Sequence, residues 1–257
     1  MYSVRVTTRW HGDTQIQIFV VNVVVTGLLI WQMGWNYLTI FCASTLLHLV
    51  IETGLALSGI RKGTVYVYGV RLPRWADVAL RATVDGPGLC VPAFLAADLI
   101  TSGNVLAGVL GTGLLVAAVS LYMGLADRRD LDRLGPNEAP IYSRRAMNRP
   151  GAMMLLSLLN TICLAALFLM PAPYRIHAFT YVGAYSLSTM LFYAINYPLG
   201  VRYVQLYDCE RKEYTTPGPW FQAAGLTYDS AYEMALLISP AYWITFYLGL
   251  FQYPHFT

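Results

Sequence analysis

Apolar residues in this chain gather into blocks separated by short polar connections. Crossing the hydrocarbon core of a bilayer takes roughly 20 consecutive apolar residues in a helix. Seven blocks meet that length, at about 15–33, 36–60, 74–100, 104–125, 151–171, 176–200 and 229–251. The pattern predicts an all-α membrane protein, a seven-transmembrane helix bundle forming a single domain over residues 1–257. The third block is the least uniform, because Asp77, Arg81 and Asp85 interrupt it. Trp31, Trp35, Trp75, Trp220 and Trp243 fall near block ends, where an aromatic belt at the membrane interface requires them. The connections at 34–35 and 101–103 are short enough to make blocks 1–2 and 3–4 antiparallel neighbours. The 126–150 stretch reads as a polar loop, and the first 14 residues as a polar lead-in. The apolar run after that lead-in is long enough to act as an uncleaved anchor rather than a signal peptide.

Charge then sets orientation. Of 17 Lys and Arg residues, nearly all fall on alternate connections. Arg5 and Arg9 precede block 1; Arg61, Lys62, Arg71 and Arg74 follow block 2; six arginines between 128 and 149 follow block 4; Arg202, Arg211 and Lys212 follow block 6. The opposite connections carry Arg175, and Arg81 lies inside block 3. By the positive-inside rule the N-terminus is cytoplasmic and the C-terminus extracytoplasmic, in a plasma or inner membrane. The charged fraction of 12% fits a surface facing hydrocarbon, since soluble domains carry about 25%. Topology accounts for the basic loops without a nucleic-acid partner. Cys42, Cys90, Cys163 and Cys209 are widely spaced with no CxxC pair, which argues against a disulfide framework or a thiolate metal site.

Ionisable residues inside a span are costly and are usually paired or functional. Asp77, Arg81 and Asp85 recur at i, i+4 and i+8, so one helix face carries all three and Arg81 reaches either acid. They form either a polar interior site or a structural ion-pair ladder. His48 and Glu52 share a face in block 2 in the same way. That pair suits proton relay, carbocation stabilisation or an internal hydrogen bond, whereas zinc normally requires at least three protein ligands. Glu233 and Pro240 lie on roughly one face of block 7, where the proline kinks the helix. Asn22, Asn160 and Asn196 are candidates for hydrogen bonds between helices.

Several of these residues resemble the heliorhodopsins, retinal proteins of inverted topology. Leu46-Leu47-His48 resembles that family's helix-2 histidine segment, and Arg74-Trp75-Ala76-Asp77 its Arg-Trp-x-Glu, whose acid is the Schiff-base counterion. Asn196 with Arg202-Tyr203-Val204-Gln205-Leu206-Tyr207 resembles its helix-6 exit, and Ala231-Tyr232 its helix-7 Ala-Tyr. Carried along helix 7, the retinal-binding lysine position falls on Pro240, and the two lysines present, Lys62 and Lys212, lie in loops. Asn22 stands where that family has a helix-1 histidine, and the family's long loop between helices 1 and 2 is missing. The resemblance therefore implies the fold without covalent retinal, Arg81 neutralising the acid in place of a Schiff base. A shorter string, His48-Leu49-Val50-Ile51-Glu52, resembles the emopamil-binding sterol isomerases, in which a His and a Glu move protons around a sterol carbocation.

Three functions follow as expectations. The first is a non-enzymatic, heliorhodopsin-like protein that binds a lipid or pigment non-covalently or serves as a membrane-complex subunit or homo-oligomer. Its pocket would draw on Asn22, His48, Glu52, Asp77, Arg81, Asp85, Glu233 and Pro240. The second is an intramembrane lipid or sterol isomerase using His48 and Glu52, which requires a closed apolar cavity reaching both. The third is a transporter or proton channel, which requires a continuous wet path although Asp98 stands nearly alone in the outer half.

Overall fold

The computed structural model describes residues 1–57, 65–147, 150–230 and 235–251. The chain runs β1 (Tyr2–Thr7), α1 (His11–Met33), α2 (Asn36–Leu57), β2 (Tyr66–Val67), β3 (Val70–Arg71) and α3 (Arg74–Thr101). A π-helical turn, Ala107–Gly111, leads into α4 (Thr112–Asp132), followed by β4 (Ile141–Ala146), α5 (Pro150–Phe168) and α6 (Ala172–Asn196). The last elements are β5 (Arg202–Asp208), β6 (Glu213–Thr215), α7 (Pro219–Tyr228) and α8 (Ala235–Tyr247). Five helices are long and apolar enough to cross a membrane: α1, α2, α3, Ala107–Asp132 and α6. Their outward faces carry Val24, Leu46, Val50, Leu114 and Leu187, each more than half exposed, a distribution that suits hydrocarbon as the surrounding solvent. This is a helical membrane protein. Within α5 the stretch Met153–Phe168 is apolar but shorter; α7 ends at Tyr228, just before the last apolar block, of which α8 spans Ala235–Tyr247.

Helix α3 is the axis of the bundle. It is 56% buried across its apolar window, against 17% for α1, and α1, α2, α4 and α6 all pack on it. Small residues allow that approach, as elsewhere between membrane helices. At Gly86 a Cβ atom would stand 2.8 Å from the Ser44 carbonyl and 2.9 Å from His48 Nδ1, so only glycine lets α2 and α3 close there.

Two stretches read as irregular are structured. The expected polar lead-in forms β1, one of the two inner strands of a four-stranded sheet of order β4-β1-β5-β6, antiparallel to β4 and β5. The expected 126–150 loop begins as the last turns of α4 and later supplies β4. Val4 and Val6 alternate with Ser3, Arg5 and Thr7, a period of two that marks a strand, but six residues beside a long apolar run are easily overlooked. A small hairpin, β2–β3, turns at Tyr68 and Gly69, both at positive φ, the signature of a type I′ turn.

Candidate functional site

A cavity of about 310 Å³ lies inside the bundle, walled by α1, α2, α3, α4, α6 and α8 and bordered at one end by the sheet. Most of its wall is apolar, with Ile18, Val25, Leu115, Val119 and Ile238 among the contributors. Pro87 and Pro92 of α3 also line it. Neither proline has an N–H, so the carbonyls of Thr83 and Gly88 lose their usual helical donors along this wall.

Four of the residues singled out in the sequence meet here. Asn22, His48, Glu52 and Asp85 all line the cavity. Asn22 donates from its side-chain amide to the Val84 carbonyl at 3.2 Å, joining α1 to α3. His48 donates from Nδ1 to the Ser44 carbonyl at 3.0 Å, the only role that a ring nitrogen can take toward a carbonyl. That bond fixes the tautomer and leaves Nε2 as the basic nitrogen. His48 and Glu52 are buried at 4% and 3% exposure, and the charge of Asp85 reaches both His48 and Tyr185. Thr26, at 4% exposure, also borders the cavity, and its hydroxyl has no hydrogen-bond partner among the described residues.

Asp77 and Arg81 lie outside this wall. Arg81 Nε donates to Asp77 at 2.7 Å, with both side chains nearly buried, so the first two members of the i, i+4, i+8 set form an ion pair while the third lines the cavity. Pro240 sits half-buried in α8, where Ile238 rather than Pro240 contributes to the cavity. Glu233, like Ala231 and Tyr232, lies outside the described residues.

Two polar networks were not anticipated. At the sheet end, Arg5 donates to His11 Nε2 at 2.6 Å, and His11 Nδ1 donates to Asp127 at 2.7 Å. All three are less than 8% exposed. At the opposite end, Tyr242 donates to His177 Nδ1 at 2.7 Å, and His177 Nε2 donates to Asp98 at 2.8 Å. Tyr37 completes this network by donating to the other Asp98 oxygen at 2.7 Å. The aromatic rings of Phe94, Tyr181 and Phe251 pack around it. A period-two reading of residues 2–7 exposes Arg5 as a strand residue facing one way, whereas the pairing of Asp98 with His177, 79 positions apart, has no local signature. Among the described residues, no group of three or more His, Cys, Asp or Glu side chains is arranged to hold a metal. No family model matches the chain, and neither does any curated protein or solved structure.

Proposed function

We propose that this chain is a seven-span membrane protein, N-terminus cytoplasmic, that holds a lipid or pigment non-covalently and acts as a binding protein or as a subunit of a larger membrane complex. One observation carries this reading: a mostly apolar cavity with a few buried polar groups, Asn22, His48, Glu52 and Asp85, converging on it. Small-molecule sites have this composition, and about 310 Å³ falls at the lower end of their size range. The topology is supported by the arginine-rich connections. The heliorhodopsin resemblance supports the binding role, with Pro240 where that family's lysine stands. The purified protein is expected to yield a bound small molecule by solvent extraction and mass spectrometry. Added retinal is expected to give no red-shifted, hydroxylamine-sensitive band. A bleachable band of that kind would overturn the non-covalent reading.

A second reading draws on a specific observation: His48 and Glu52, the pair shared with the sterol isomerases, both line the cavity. An isomerase working through them would exchange a substrate proton with water. Deuterium entering the extracted lipid in heavy water, and lost in His48→Ala and Glu52→Gln, would favour this reading. A lipid that gains no deuterium leaves the binding role.

A further inference from the structure

The β2–β3 hairpin is held against the flank of the bundle. Strand β2 lies across the first turn of α1, where a Cβ at Gly12 would collide with the Tyr66 carbonyl, so only glycine admits the strand. In the same turn the Asp13 carboxylate accepts a hydrogen bond from the Tyr68 N–H. Val67 and Leu72 pack with Ile18 of α1 and with Leu80 and Val84 of α3. The hairpin therefore sits beside the level at which α1 and α3, two of the helices long enough to cross a membrane, begin.

The side chains that do not pack inward are of two kinds. Tyr68, Val70 and Trp75 are 67%, 66% and 75% exposed, and Arg71 and Arg74 are exposed beside them. Three large apolar side chains grouped on a surface mark a contact with something other than water. Tyrosine and tryptophan at the start of a span suit the boundary between headgroups and hydrocarbon, where the ring is buried and its polar tip stays wet. The charge here is of one sign. The acids of the first turns are engaged elsewhere, Asp13 with the Tyr68 N–H and Asp77 with Arg81. Arg74 donates to the Ala56 carbonyl near the end of α2, and among the described residues no carboxylate pairs with Arg71. The turn adds an independent observation. Tyr68 stands at a φ of 47°, in the left-handed region that Asn or Gly occupies at lower cost. Strain of that kind persists where it serves a function, and here it holds an aromatic ring outward at the edge of a span.

We infer that the hairpin and the first turn of α3 form an interfacial anchor that grips a membrane phospholipid of net negative charge. Val70 dips toward the acyl chains, Tyr68 and Trp75 lie at the headgroup boundary, and Arg71, with Arg74 beside it, takes the headgroup. A guanidinium pairs with a phosphate through two parallel N–H donors, and a headgroup without a compensating ammonium keeps the full attraction. None of these residues lines the cavity, so the anchor is independent of what that space holds.

The test places a photoreactive benzoylphenylalanine at Val70 and reconstitutes the protein into nanodiscs of equal phosphatidylglycerol and phosphatidylcholine. After illumination, the adducts on the hairpin are weighed by mass spectrometry. Lipid adducts are expected, with phosphatidylglycerol over phosphatidylcholine by about fivefold, the contribution of one basic side chain near an anionic surface. Arg71→Gln should bring the two lipids close to parity while the total lipid adduct persists, which also reports that the hairpin is in place. Tyr68→Asn, which suits the turn, should keep the melting temperature in detergent or raise it, and should lower the total lipid adduct. A hairpin that captures no lipid, or that captures a second copy of the chain instead, would overturn the anchor. Equal capture of the two lipids by the chain with both arginines would overturn the charge preference, and a preference that survives Arg71→Gln unchanged would overturn the seat at Arg71. A fall in melting temperature for Tyr68→Asn would show that the ring serves the fold and overturn its place in the membrane.

Discussion

Single residues show what the bundle tolerates. Arg81 and Asp77 form a nearly buried pair at 2.7 Å, and removing one partner of such a pair costs about 3–5 kcal/mol, whereas replacing both with apolar or neutral groups is often tolerated. Arg81→Leu is therefore expected to lower the melting temperature of the solubilised protein more than Asp77→Asn combined with Arg81→Leu. A double variant less stable than the single one would show that the pair is not self-contained. Gly86 offers a steric counterpart. A methyl group there meets the Ser44 carbonyl and His48, and overpacking of that kind costs about 1–3 kcal/mol, so Gly86→Ala should destabilise. Gly54→Ala, with nothing within 4 Å of the new Cβ, should be neutral or mildly stabilising in the same thermal assay. The sequence made Asn22, His48, Glu52 and Asp85 conspicuous, because polar groups inside apolar helices stand out against their background. Arg5 and Arg202 did not stand out. Arginines between spans are what the positive-inside pattern already leads one to expect, so the contacts of Arg5 with His11 and of Arg202 with Phe192 and Tyr193 are hidden among the rest.

At the scale of elements, the long helices were legible because composition and length alone define a span. The bundle core follows from them, with α3 central through its alanines and Gly86. The sheet was much harder to read, since its strands come from three distant parts of the chain and pair only once the helices bring them together. Val4, fully buried in the inner strand β1, is the sheet's weak point. Val4→Asp places a charge in that core without a partner and should loosen the whole sheet. Hydrogen exchange is expected to accelerate together in 2–7, 141–146 and 202–208, while α2 and α3 keep their protection. Acceleration confined to residues 2–7 would show that β4 and β5 hold their places without β1.

For the whole molecule, the account joins an orientation to a ligand. The proposed seven-span topology sets the sheet on the cytoplasmic side; under that proposal a reporter active only in the cytoplasm should give signal when fused at the N-terminus or within 133–140, and none at Thr257. Signal at Thr257 would mean an even number of crossings. The shape of the cavity itself was not legible, because it arises where six helices fail to fill the space beside the prolines of α3. The central claim is that this space holds a molecule other than protein. It is tested most directly by native mass spectrometry of the purified protein beside Val116→Trp, whose new ring enters the cavity from α4, where Val116 is only 3% exposed. The account predicts a bound small molecule on the unmodified chain, largely lost from the variant, with the variant's melting temperature held or raised because the ring fills open space. A variant that keeps the same bound mass, or that loses stability as an overpacked core would, contradicts it.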